Sequence, residues 1–113
     1  MRLRADIFVS ALIRRCEVEG AYAALRKRGA AESGAIFVVV DRLDGSVAVF
    51  GPAPQTLAAE TGMRRFARLH DEEWIEPARA QELLRRETKF DSDLWIVDVE
   101  DRAGRCFLDL AED

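Results

Sequence analysis

The sequence predicts an α+β fold, in which two helices accompany a largely antiparallel sheet of about four to six strands. Apolar residues recur at helical spacing near the amino terminus, and a proline opens a second helical segment near residue 77. Short β-branched and aromatic runs elsewhere are typical of strands. Two of these runs flank a turn dipeptide, as in a hairpin, and hairpins build antiparallel sheets.

The first predicted helix spans residues 4–18. One stripe of this segment is entirely apolar at helical spacing, whereas a strand alternation fits it less well. The stripe consists of Ala5, Phe8, Val9, Leu12, Ile13 and Cys16. Gly20 then stands where a helix commonly ends.

Three segments before residue 51 are predicted strands. Residues 21–28 have helical propensity, but the glycines on both sides bracket a segment of strand length and favour a strand. Residues 35–40 and 46–50 are the clearest strands in the chain, and Asp44-Gly45 between them predicts a type I′ hairpin turn. The segment 35–40 is apolar on both of its faces.

The second half of the sequence predicts shorter elements. Residues 55–62 read as a loop, 64–70 as a weak strand and 77–89 as the second helix. Residues 94–99 and 106–110 are predicted to close the chain as a terminal pair of strands. We expect both helices to cover the same face of the sheet.

Chain length and composition limit the class of protein to which this sequence can belong. A chain of 113 residues has room for one domain, residues 1–113, and 49% hydrophobic with 34% charged residues is too apolar for disorder. No apolar run approaches the roughly 20 residues of a membrane span, and no cleavage site for a signal peptide is present. Cys16 and Cys106 form no ligand pair, which favours free thiols in a cytoplasmic protein.

Charge is distributed unevenly along the chain. Residues 1–70 hold 11 Lys and Arg against 7 Asp and Glu, whereas residues 71–113 hold 6 against 14. A pI near 5.1 argues against a nucleic-acid binder. Opposite charges in the two halves instead suggest complementary surfaces, either within the fold or between copies of it.

Several segments together resemble the domain-of-unknown-function family 1491, which consists of small alphaproteobacterial proteins. The resemblance rests on residues 9–15, 34–38, 50–55, 90–97 and 100–102. It spans nearly the whole chain and implies a one-domain bacterial protein of the cytoplasm. It implies no activity and supplies no catalytic residue.

The candidates for chemistry are few, and we assign no catalytic residue, no cofactor and no metal. His70 is the only histidine, too few for a usual metal site. An alternative hypothesis is nevertheless a small enzyme with a cleft near loop 51–62 and His70. Both cysteines read as core residues, because buried cysteine behaves as a small hydrophobe.

Four carboxylates are candidate cation ligands. Asp91 and Asp93 are explained by turn formation, and Asp98 and Glu100 by a solvated strand end. None of them comes with a third carboxylate at a suitable spacing.

Two surfaces are candidates for binding. Arg26, Lys27 and Arg28 precede a glycine-containing loop, 29–34, and predict an anion contact, so that a nucleic-acid or anion-binding adaptor is a second alternative. The other surface lies opposite the buried stripe of the first helix. It consists of Arg4, Ile7, Ala11, Arg14 and Arg15.

The leading hypothesis is a small binding or protein-interaction module that self-associates as a homodimer. Ile7 points away from the predicted core, and two helices on one face would leave the other face of strand 35–40 uncovered. A second subunit would supply that cover.

Overall fold

Two helices and five strands make up the part of the chain that the computed structural model describes, residues 3–54 and 63–111. In chain order these elements are α1 (Ala5–Val18), β1 (Tyr22–Lys27), β2 (Ile36–Asp41), β3 (Val47–Pro52), β4 (Phe66–Arg68), α2 (Pro77–Phe90) and β5 (Trp95–Glu100). The α+β class is confirmed, and each helix agrees with its prediction to within one residue at either end. Segment 21–28 is a strand, as favoured, and the predicted loop 55–62 lies outside the described residues.

The five strands form one sheet in the order β1-β5-β2-β3-β4. The central pair, β2 and β5, is parallel, and the other three neighbouring pairs are antiparallel. The last strand in the chain therefore lies in the middle of the sheet, between β1 and β2. The prediction of a largely antiparallel sheet is confirmed.

The β2–β3 hairpin is present, but its turn is longer than predicted. Five residues, 42–46, separate the two strands. Leu43 (φ 64°) and Gly45 (φ 89°) adopt positive φ, so the predicted type I′ turn centred on Asp44-Gly45 is wrong. The Leu43 N–H donates to the Asp41 carboxylate at 2.7 Å, and such local side-chain bonds stabilise a wider turn.

The predicted strand at residues 106–110 is also wrong. Both sides of β5 are already occupied by β1 and β2, so β5 has no free edge for a terminal partner. Phe107 turns the backbone with φ 60°. The segment then meets β4, where the Phe66 N–H donates to the Asp109 carbonyl and the Ala111 N–H donates to the Phe66 carbonyl, both at 2.9 Å.

The helices lie on opposite faces of the sheet, which corrects the expectation that they share one. The α1 face is covered by α1 together with Trp74 and the segment 106–108. The α2 face is covered by α2 and Ile75. Because β2 is apolar on both sides, each side needs a layer of its own, and its residues 36–40 are buried within the chain. The hairpin therefore requires no second subunit to cover it.

Candidate interaction surfaces

The outer surface of α1 carries the residues predicted for interaction, and all of them are exposed. These are Arg4, Ile7, Ala11, Arg14 and Arg15. Ile7 is 50% exposed, and Val18, which the sequence analysis missed, is 77% exposed. Their spacing of 11 residues equals about three helical turns, so both lie on one side of the helix. We call Ile7, Ala11 and Val18 the α1 stripe; the spacing of 11 was the signal that would have included Val18.

Arg4 is engaged at the start of α1. It forms ion pairs with Asp6 (3.3 Å) and Glu32 (3.5 Å). The hydrogen bond from Arg4 lowers the pKa of the Asp6 carboxyl below its usual value. The backbone N–H of Asp6 also donates to the Ala31 carbonyl, so this end of the α1 outer surface is joined to the loop before β2.

The basic run Arg26, Lys27 and Arg28 makes three separate contacts within the chain. Arg26 donates to both carboxylate oxygens of Asp98, at 2.9 and 2.6 Å. Lys27 donates to two carbonyl oxygens just before β5. The Arg28 guanidinium lies over the Trp95 ring, 5.3 Å from its centroid. The three cations have different partners within the chain, and the anion contact stays a prediction.

The loop beside this run contains its glycines for a packing reason. A Cβ at either Gly29 or Gly34 would overlap the backbone carbonyl of Asp93. The loop therefore packs directly against the start of β5, and Trp95 Nε1 donates to the Ala30 carbonyl at 2.8 Å.

His70, on which the enzyme hypothesis depends, is buried and bonded through both ring nitrogens. Nε2 accepts the Val49 N–H at 3.0 Å, and Nδ1 donates to the Glu72 carbonyl at 2.7 Å. A nitrogen that already accepts a backbone N–H has no free lone pair for a substrate proton. In this geometry His70 acts as a structural partner of β3, beyond the short strand β4.

Cys16 lies in the core, as predicted, and Cys106 is half-buried; both are free thiols. Burial raises the pKa of the Cys16 thiol to about 11. Because the thiolate is the nucleophilic form, this shift makes Cys16 unreactive near neutral pH.

Two of the four acidic candidates, Asp91 and Asp98, have partners for their carboxylates. The Asp93 N–H donates to the Asp91 carboxylate, as expected of a turn, and Asp98 is paired with Arg26. Within residues 3–54 and 63–111, no cluster of three potential metal ligands occurs. Asp101, which the sequence analysis did not single out, is buried and accepts two hydrogen bonds from the Arg105 guanidinium, at 3.1 and 2.9 Å.

A groove of about 310 Å³ lies on the α2 face, between the start of α2 and β1. Its apolar lining comprises Ala24, Val39, Val47, Pro77 and Ala80. Its polar lining comprises Tyr22, Arg26, Asp41, Gln81, Asp98 and Glu100. This groove was not predictable from local patterns, because its lining comes from five separate elements. The one signal was the placement of Asp98 and Glu100 on the same face of a strand.

A family model described as "Protein of unknown function (DUF1491)" matches residues 3–109. The chain belongs to this family. The resemblance found in the sequence is thereby confirmed. No curated protein matches the chain. None of the described helices of this DUF1491 protein has the length and hydropathy needed to cross a membrane.

Solved structures show the same fold in other bacteria. The solution structure of protein Atu0922 from A. tumefaciens is 41% identical, covers 100% of this chain and 98% of its own, and superposes with a TM-score of 0.84. The crystal structure of a DUF1491 family protein from Caulobacter crescentus CB15 is 34% identical, with both chains covered completely and a TM-score of 0.81. An NMR structure of a DUF1491 family protein from that organism is 35% identical, covers 100% and 99%, and has a TM-score of 0.81.

Proposed function

We propose that this DUF1491 protein is a small cytoplasmic protein-interaction module that self-associates as a homodimer through the outer surface of α1. The observation that carries the proposal is the α1 stripe, which exposes aliphatic side chains along three helical turns. Exposed apolar positions bordered by polar side chains are typical of protein interfaces. The free thiols of Cys16 and Cys106 support a reducing compartment.

A twofold, antiparallel arrangement of two α1 helices suits this surface. It places Ile7 of one copy beside Val18 of the other, and Ala11 beside Arg14. The small side chain of Ala11 allows close approach, and the aliphatic part of Arg14 packs against it while the guanidinium reaches solvent. Arginine is enriched at such interfaces.

The dimer is expected to be weak. The stripe contains few apolar residues, far fewer than the 20 to 30 residues on each side of a typical stable interface. Each copy also buries both faces of its own sheet, so the protomer does not need the partner in order to fold. We therefore expect a dissociation constant of about 10 µM or weaker.

Light scattering across a concentration series tests the proposal. The mass of the wild-type chain is expected to rise from monomer towards dimer between about 1 and 500 µM, as mass action requires. Ile7→Asp and Val18→Asp should each keep the chain monomeric. The matched control is Phe90→Asp, because Phe90 is 87% exposed but lies at the end of α2. A wild-type chain that stays monomeric throughout, or a Phe90 variant that dissociates equally, would overturn the proposal.

The two alternative functions have less support from the geometry. An enzyme centred on His70 would need a ring nitrogen that the backbone does not already occupy. An anion-binding adaptor would need Arg26, Lys27 and Arg28 to leave their partners within the chain.

A further inference from the structure

Strand β1 is an open edge of the sheet. Among the described residues it pairs with β5 alone, so the backbone groups on its outer side are available to another strand. The opposite edge is different, because the carboxyl-terminal segment donates to and accepts from Phe66 of β4.

A register shift between Leu25 and Lys27 interrupts the regular pairing of β1, and such irregularities protect an edge strand, but residues 22–25 before it pair regularly with β5. Lysine and arginine commonly prevent edge pairing. Here Arg26 is bonded to Asp98 and Lys27 to carbonyls before β5. The remaining positions, residues 22–25, are uncharged. Tyr22 is 60% exposed among them, and Leu25 is also exposed.

The groove on the α2 face begins at this edge. Tyr22 is paired with Glu100, which is paired with Asp41, so these residues form a row across three strands. The next row contains Ala24 and Asp98. A strand added beside β1 would extend both rows, at roughly 4.8 Å from β1 and twice that distance from β5.

Ala24 leaves a passage across β1. Its side chain is a single methyl group, so a long side chain on an added strand, opposite Ala24, can cross it towards Asp98 and Glu100. The groove contains three carboxylates, Asp41, Asp98 and Glu100, against the single guanidinium of Arg26, which Asp98 already binds. A cationic side chain complements this charge.

We propose that the β1 edge binds an extended segment of a partner protein as an added strand, with a lysine or arginine side chain lying over Ala24 in the groove. Main-chain hydrogen bonds supply affinity in this mode, and the pocket for one side chain supplies specificity. This surface is separate from the α1 stripe, so the peptide site and the α1 dimer can fail independently.

The probe is a blocked seven-residue peptide, Thr-Thr-Val-Lys-Val-Thr-Thr, titrated into the ¹⁵N-labelled full chain and followed by NMR. The amides of residues 22–25 are expected to shift, and the outward-facing ones to exchange more slowly with solvent. A matched peptide with glutamate in place of lysine should bind about tenfold more weakly or not at all.

Three variants test whether the lysine side chain of the peptide lies in the groove. Glu100→Gln should weaken binding of the lysine peptide by about threefold. Ala24→Leu should remove the preference for lysine over glutamate, because it blocks the passage. Glu73→Gln changes an exposed carboxylate outside the groove and should leave binding unchanged.

Four results of the peptide titrations would overturn the proposal. They are no shifts at about 1 mM peptide, equal binding of the glutamate peptide, shifts on the α1 stripe instead of β1, or no effect of Glu100→Gln. Concentration-dependent shifts of residues 22–25 without peptide would identify a second copy as the occupant of the edge, and would also overturn it.

Discussion

The α1 face and the α2 face of the same sheet are covered to different extents. A helix is about 10 Å wide and strands are about 4.8 Å apart, so one helix covers roughly half of five strands. On the α1 face, segment 106–108 and Trp74 extend the cover. On the α2 face, α2 packs over β3 and leaves the groove at β1. A groove thus remains where no second segment covers the sheet.

Two carboxylate–arginine pairs also differ in how deeply their carboxylates are buried. Asp101 is buried, and Arg105, which also donates to the Glu19 carbonyl, links it to the end of α1. The hydrogen bond from Arg105 holds the pKa of the Asp101 carboxyl below its usual value. Asp98 and Arg26, in the groove, are each about one-third exposed. Solvent therefore screens the Asp98 carboxylate more strongly than the Asp101 carboxylate.

The largest expected effect comes from the two helices themselves. Leu12 of α1 and Leu84 of α2 are almost equally buried. Replacing either by alanine should lower the free energy of unfolding by about 3 kcal/mol, because each change leaves a cavity. Urea unfolding measures both. A cost below about 1 kcal/mol for Leu84→Ala alone would show that α2 packs loosely on its face.

His70→Phe tests how much the hydrogen bond between His70 and β3 contributes to stability, at the side of the sheet opposite β1. The change keeps a planar ring but leaves the Val49 N–H without its acceptor, so we expect a loss of about 2 kcal/mol in unfolding free energy. His70→Gln retains an acceptor and should lose less. Thermal and urea unfolding provide the comparison, and equal stability of His70→Phe and wild type would contradict the structural role.

Asp101→Asn should cost about 1.5 kcal/mol at pH 7, because a charged hydrogen-bond acceptor is lost. The folded-state pKa of Asp101 is lowered, so its stabilisation is present above the unfolded-state value of 3.8 and is lost as pH falls through the folded-state value. Urea unfolding from pH 7 to pH 2 should therefore show the wild-type advantage shrinking below about pH 4. A constant difference across that range would exclude the ion pair as its cause.

The smallest effect is expected in the groove. Arg26→Ala should cost about 0.5 kcal/mol, and about 1 M salt should remove most of this cost, because the pair with Asp98 is partly exposed. Urea unfolding at low and high salt measures it. If Arg26→Ala proved as costly as Asp101→Asn, the proposed difference between the two faces would not hold for their ion pairs.

Local patterns were sufficient to predict most elements of this fold. The apolar period of residues 4–18 and the proline at position 77 located both helices, since helical spacing and caps are properties of neighbouring residues. The same spacing placed Ile7 and Ala11 on the outside of α1. The turn of the hairpin was mispredicted because the Asp41 carboxylate offers the backbone a competing local bond.

Long-range pairing determined the rest. The insertion of β5 between β1 and β2 brings together residues 59 to 78 positions apart, and a sequence period carries no information on such partners. That insertion leaves β1 at an edge and joins Arg26 to Asp98. It also leaves the carboxyl-terminal segment without a strand partner on β5. This topology also buries β2 on both sides and leaves the groove open. The burial of each face depends on which helices and loops the chain packs against it.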